Sequence, residues 1–130
     1  MKEEDIRKLK EQMEESGLTP VVRTIEVGDW IKNAERTKDD EAGVGTCWRE
    51  YWQIFTQNDY PTKCPFCNET LEGEKVDGCH IKIDEKRCGL SSRKWIRGKF
   101  IIPGHHDCNI AIDGECQAKI KILAVKAIKK

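Results

Sequence analysis

The chain has 130 residues, a length that suits one domain or one domain with an appendage. Its 23 basic and 23 acidic residues give zero net charge, so self-repulsion does not favour an open chain. No apolar run approaches the roughly 18 residues that cross a bilayer, and the opening MKEEDIRKLKEQ lacks the apolar region of a secretory signal, so we expect a cytoplasmic protein without a membrane partner.

The first sixty residues are predicted to be rich in helix. Residues 4–16 carry apolar side chains at helical spacing, and Gly17 follows them as a stop signal. The β-branched residues of VVRTIEV (21–27) predict a strand. Asp29 then offers an N-cap, which predicts a second helix over WIKNAERTK.

An aromatic stripe marks the next helix. Within residues 46–57, four aromatic side chains recur at positions i, i+3, i+4 and i+7: Trp48, Tyr51, Trp52 and Phe55. This spacing places them on one face of a helix. We predict that they form the main core of the N-terminal half.

The second half of the chain is predicted to consist of short elements. Residues 76–83 and 95–102 indicate two strands joined by a basic loop, and residues 105–112 indicate a short helix. For the tail we favour a strand at 118–125 over a helix. The fold class predicted from these elements is α+β.

Two pairs of candidate metal ligands lie in this second half. Cys64-Pro-Phe-Cys67 has the spacing of a zinc knuckle, a tight turn that directs two thiolates at one ion. After 37 intervening residues, His105 and Cys108 are spaced i, i+3, which places both on one face at the start of a helix. The four residues predict a tetrahedral Cys₃His site for a structural zinc ion. Leu, Ile, Val and Phe together number only 28, so a core this small would profit from such a cross-link.

Other uses of these residues stay open in the sequence. A redox-active CxxC pair should follow a strand and open a long helix, whereas CPFC precedes the turn-like NETLEGE. His106 is the alternative to His105 as the histidine ligand. A second zinc site is a further alternative, built from Cys79, His80, Cys88 and Cys116, with or without His106.

The order CPFC, GCHI and KFIIPGHHDCN resembles the treble-clef zinc modules of the HNH endonuclease superfamily. Within that superfamily it looks like the bacterial HNH-like proteins with the pattern CxxC, GAHV and YIVPLCxxCN, and the likeness covers residues 61 to about 125. The resemblance implies a treble-clef ββα module at 61–130, and we expect the α-rich region at 1–60 to pack on it. It also implies that His80 occupies the position of the general base, and Asn109 that of a ligand for a catalytic Mg²⁺ or Mn²⁺.

Two departures from the HNH pattern argue against catalysis. Cys79 stands where active members have an Asp that binds the catalytic metal, and a thiol is a poor ligand for hard Mg²⁺. Phe100 stands at about the position of the Asn that orients the base. We therefore expect a binding module without enzymatic activity. The alternative is a divalent-metal-dependent nuclease with His80 as general base.

A basic stretch next to the predicted zinc site suggests that the protein binds nucleic acid. Between Lys86 and His106 there are six basic residues and no acidic one. The nucleic-acid-binding residues predicted from it are Arg93, Lys94, Trp95, Arg97 and Lys99, which offer phosphate contacts and a stacking ring. Zero net charge and the acidic N-terminal half favour another partner, a protein. On that alternative, the chain is a phage or mobile-element protein that binds a host factor.

Overall fold

The computed structural model describes residues 2–34, 37, 40–72, 75–85, 93–111 and 114–130. The elements in chain order are α1 (Glu3–Ser16), β1 (Val22–Ile25), β2 (Trp30–Asn33), α2 (Trp48–Thr56), β3 (Val76–Ile83), β4 (Phe100–His105), α3 (His106–Ala111), β5 (Glu115–Gln117) and β6 (Ile122–Lys126). This mixture of helices and antiparallel strands confirms the α+β class. None of the helices in the described ranges has the length and apolar character that crossing a membrane requires.

The strands form one six-stranded antiparallel sheet in the order β1-β6-β4-β3-β2-β5. The β3–β4 hairpin lies at its centre, with Cys79 opposite Ile102 and His80 opposite Ile101. Strands from before and after residue 60 are mixed in the sheet, since β1 and β2 each pair with strands from the second region. The two regions expected from the sequence therefore share one sheet and one core.

The sheet curls strongly, because a tight turn joins strands that are far apart in its order. β1 and β2 have three strands between them, a distance of about 19 Å in a flat sheet. Yet residues 26–29 connect them in a turn closed by a hydrogen bond of 3.0 Å from Asp29 N to Glu26 O. This turn is bonded to the chain after β5, since Gly28 N donates to the carbonyl of Ala118 at 2.8 Å.

The core fills both faces of the curled sheet. On one face, the buried side chains include Ile25, Ile31, Ile81 and Phe100. On the other face lies α2, whose Tyr51 and Trp52 are buried while Trp48 and Phe55 pack against them, as the aromatic stripe predicted. Tyr51 Oη donates to the carbonyl of Lys126 at 2.7 Å, and Trp52 Nε1 donates to that of Leu123 at 2.8 Å, so α2 is bonded to β6.

The predicted helix after Asp29 is wrong. Trp30–Asn33 forms β2, with Ile31 fully buried and paired with Ile83 and Cys116. Burial and strand pairing here outweigh the local N-cap signal. Asp29 closes the turn instead, and its Oδ2 accepts from the Glu26 N–H at 2.8 Å.

The strands of the second half are confirmed with two changes of boundary. β3 has the predicted bounds, and α3 begins one residue after its predicted start. The second hairpin strand begins at Phe100, and Trp95 contributes only an isolated bridge to Asp84. Of the tail strand predicted at 118–125, only residues 122–125 are strand, as part of β6, and residues 118–121 connect β6 to the edge strand β5, which was not predicted.

Candidate metal centre and its surroundings

Three thiols and one imidazole converge at one end of the β3–β4 hairpin. The ligand atoms of Cys64, Cys67, His105 and Cys108 all lie within 4.8 Å of one another. The sulfurs of Cys64 and Cys108 are 4.0 Å apart, and Cys67 Sγ is 3.2 Å from His105 Nδ1. The four residues thus form a group that can hold a metal ion.

Local backbone structure aims the first two thiols. Asn68, in the left-handed region with φ of 63°, donates its N–H to the Cys64 carbonyl at 2.8 Å. Cys64 N donates in turn to Glu69 O at 2.8 Å, which closes a narrow loop around the CPFC turn. The second pair comes from β4 and α3, since His105 ends the strand and Cys108 lies in the first turn of the helix.

The tautomer of His105 suits metal binding through Nδ1. Its Nε2 lies 2.9 Å from the carbonyl oxygen of Thr70, and a carbonyl can only accept. Nε2 therefore carries the proton, and the lone pair of Nδ1 is left facing the three sulfurs. Of the two candidate histidines, the structure places His105, and not His106, among the cysteines.

The surroundings of Cys108 oppose the ionisation of its thiol. Burial, followed by the neighbouring Cys67 and Cys64 sulfurs, raises the pKa of Cys108 to about 12. Several thiolates in one small volume repel one another, and a bound divalent cation removes that repulsion by displacing the protons. The donor set is thus arranged for a thiophilic metal.

A close contact fixes the CPFC turn on the sheet. Phe66 lies against the Cα of Gly104, where a Cβ would come within 2.7 Å of the ring atom Cε2. Cys79 Sγ would be 3.3 Å from the same Cβ. Burial raises the pKa of the Cys79 thiol well above its usual value, so Cys79 behaves as a small apolar side chain next to the centre.

A second polar cluster lies beside the centre, and sequence reasoning missed its key member. Asp77 Oδ2 lies 2.7 Å from His106 Nδ1 and accepts from Asn109 Nδ2 at 3.1 Å. The hydrogen bond to Asp77 is the main cause of the raised pKa of His106. The cluster borders a cavity of about 350 Å³ that Lys75 and Asp107 also line. The sequence could have indicated Asp77, because residues two apart in a strand share a face and Asp77 lies two residues before Cys79 in β3.

His80 lies on the opposite face of β3 from this cluster. Its ring meets that of Trp48 on α2 edge to face, at 4.6 Å between centroids, and its side chain is 7 % exposed. Nε2 is buried without a hydrogen-bond partner among the described residues, and burial lowers the pKa of His80 to about 4. The structure therefore does not bring together His80 and Asn109, the two residues placed at catalytic positions by resemblance.

The alternative second zinc site is not assembled by the part of the chain that the structure describes. Within that part, the Cys64 cluster is the one group of three or more potential metal ligands. Cys79 and His80 point to opposite faces of β3, and Cys88 lies outside the described residues. Lys86 and Arg87 of the basic loop also lie outside them.

Three lysines from neighbouring chain segments lie side by side on one face of the sheet. Lys32 lies directly opposite Lys82 in the β2–β3 ladder. Continuing the β3–β4 register by one position places Lys99 opposite Lys82 on its other side. We call these three residues the lysine row. Burial, then Lys99, then Lys32 lower the pKa of Lys82, as expected for like charges held together.

Two tryptophans lie beside the lysine row, each covered by a cation. Arg93 lies over the ring of Trp30 at 3.5 Å from its centroid and forms a salt bridge of 2.9 Å with Glu115. Lys32 Nζ lies 4.8 Å from the centroid of Trp95. Lys94 and Arg97 are exposed on the same segment as Trp95. Of the five residues predicted for nucleic-acid binding, Trp95 thus contacts Lys32 and Lys99 lies opposite Lys82, two lysines that were not among the predicted residues.

Comparison with family models, with curated proteins and with solved structures gave no match to this chain.

Proposed function

We propose that the protein is a zinc-stabilised HNH-like module of treble-clef type that binds nucleic acid in the cytoplasm and has no nuclease activity of its own. The order of elements supports this assignment: a CxxC turn, the β3–β4 hairpin and a ligand-bearing helix follow one another. Cys64 and Cys67 hold the ion from the turn, and His105 and Cys108 hold it from the hairpin end and the helix.

The donor set supports zinc as the metal. Zinc bound tetrahedrally at about 2.3 Å from sulfur separates its sulfur ligands by about 3.8 Å, close to the 4.0 Å between Cys64 and Cys108. The proton on His105 Nε2, directed at Thr70, is the outer-shell arrangement common among metal-binding histidines. A zinc ion there contributes folding free energy to a small core and takes no part in chemistry.

The main support for nucleic-acid binding is the lysine row. Like charges directly opposite one another in a sheet are destabilising, and here three lysines stand side by side on neighbouring chain segments. A polyphosphate backbone relieves this repulsion and releases its own counterions. Lys94 and Arg97 are two further exposed cations, on the segment that carries Trp95.

A binding assay at two salt concentrations tests the proposal. The affinity for short labelled oligonucleotides should fall at least about tenfold when Lys32, Lys82 and Lys99 are all replaced by Ala, and the salt slope should fall by about 2 for a single strand. A matched control replaces Lys8, Lys10 and Lys63, which are exposed elsewhere on the surface. Absence of binding by the wild type at low salt would contradict the proposal and favour a protein partner.

The alternative of a metal-dependent nuclease depends on His80. A general base must reach the attacking water with a free ring nitrogen, whereas His80 Nε2 is buried against α2. The exposed imidazole beside Asn109 is that of His106, already bonded to Asp77. These contacts favour a binding module over a nuclease that uses His80.

A further inference from the structure

We infer that the ligand of the lysine row is a single-stranded polynucleotide, with phosphates along Lys32, Lys82 and Lys99 and a base stacked on Trp95 in place of Lys32. This inference rests on the proposed nucleic-acid binding. It goes beyond that proposal by stating that the ligand is single-stranded and that Trp95 stacks on one of its bases.

The described helices are unsuited to reading a duplex. Major-groove recognition needs an accessible helix or a two-stranded ribbon. Helix α1 carries six acidic residues against three basic ones, and α3 has only six residues. The inner side of α2 packs its aromatic residues on the sheet, and β3 and β4 lie inside the sheet instead of projecting from it.

The surface formed by β2, β3 and the segment before β4 has the composition of a single-strand site. Such sites combine a track of cations for the backbone with aromatic rings for the bases, because unpaired bases have free faces. Here the lysine row supplies the track, and Trp95 lies at one end of it under Lys32. A base inside a duplex has no free face, so a duplex would use the charges alone.

The two tryptophans differ in how firmly they are covered. Trp30 lies under the guanidinium of Arg93 at 3.5 Å, and that guanidinium also forms a salt bridge of 2.9 Å with Glu115. Among the described residues, the cation over Trp95 is the flexible Lys32, at 4.8 Å. A lysine–aromatic contact at a partly exposed site is weaker than base stacking. A base therefore displaces Lys32 from Trp95, and the freed ammonium turns to a phosphate, while Trp30 stays covered.

The experiment compares single-stranded DNA, single-stranded RNA and duplex DNA of one sequence by fluorescence anisotropy at low salt. The wild type should bind at least one of the single strands at least about tenfold more tightly than the duplex. Trp95→Ala should weaken single-strand binding by about fivefold to a hundredfold without changing the salt slope, because it removes stacking and no charge. Duplex binding should stay the same.

Two conservative variants separate stacking from folding. Single-strand addition should quench the tryptophan fluorescence of the wild type and of Trp30→Phe, while Trp95→Phe should lose most of this quenching and keep most of the affinity. Duplex binding as tight as single-strand binding, or quenching unchanged in Trp95→Phe, would overturn the inference and leave the proposed function standing. If neither the single strands nor the duplex bind at low salt, both this inference and the proposed function are wrong.

Discussion

The imidazole of His80 meets the indole of Trp48 edge to face, with 4.6 Å between the ring centroids. The contact ties β3 to the first turn of α2, and it keeps the histidine away from water. In the folded protein the pKa of His80 is lowered from 6.5 to about 4, mainly by burial. His80 therefore couples the stability of the fold to pH.

Stability should fall as the pH drops from 6.5 to 4. The unfolded chain binds a proton at His80 in this window and the folded chain does not, so acid favours unfolding by up to about 3 kcal/mol. Above pH 6.5 this penalty disappears. Urea denaturation of the wild type and of His80→Gln across this range checks it, because the glutamine does not titrate. The difference in unfolding free energy between the two proteins should shrink by that amount on acidification, and a constant difference would contradict the role of His80.

The purified protein should contain about one zinc ion per chain, as measured by elemental analysis. Chelation should lower the melting temperature strongly, because structural zinc in small modules contributes roughly 10 kcal/mol or more of apparent binding free energy. Cys67→Ser and Cys108→Ser should each reduce the zinc content. Cys47→Ser is the matched control, since Cys47 lies outside the cluster. A cooperative melt that chelator leaves unchanged would contradict the assignment of a structural zinc ion.

The identity of the histidine ligand can be tested by exchange. His105→Cys should retain zinc as a four-cysteine site, and His105→Ala should bind zinc more weakly, because one donor is lost. His106→Ala should retain the full zinc content, since its ring is bonded to Asp77 instead. Equal zinc loss in the two alanine variants would mean that His106 is a ligand or that α3 depends on it.

Close packing between α2 and β3 predicts a sensitive glycine. A Cβ at position 78 would collide with the backbone of Trp48 and Arg49, which cannot move without displacing the helix. Gly78→Ala should therefore destabilise the fold by about 2–3 kcal/mol. Gly114→Ala, with no atom within 4 Å of the added Cβ, should change stability by less than about 0.5 kcal/mol. Thermal melts of the two variants at equal zinc content decide the matter.

Sequence reasoning succeeded where the signal was local. The CxxC turn, the i, i+3 spacing of His105 and Cys108 and the strand predicted at 76–83 each depend on a few neighbouring residues, and the structure brings the four candidate ligands together. It failed where tertiary pairing decides. Lys32 was assigned to a helix because Asp29 looks like an N-cap, although burial of Ile31 makes the segment a strand.

Features that depend on long-range pairing could not be predicted either. The lysine row needs the β2–β3 register, which connects residues 50 positions apart, and no local pattern supplies that register. The bond between Asp77 and Asn109 likewise joins β3 to α3 across 32 positions. The choice between His105 and His106 depends on which ring faces the thiols, and this follows from the backbone at the junction of β4 and α3.

The last prediction concerns nuclease activity. We expect the wild type to leave plasmid DNA and RNA intact in Mg²⁺ or Mn²⁺, because Cys79 offers no hard oxygen ligand and His80 faces α2. Cleavage that is abolished by His80→Ala, with zinc content intact, would overturn this expectation and establish His80 as a base. Cleavage abolished by His106→Ala and retained in His80→Ala would instead place a catalytic centre at the Asp77 cluster. The matched control for both is Asn58→Ala, an exposed position after α2 that lies outside both clusters.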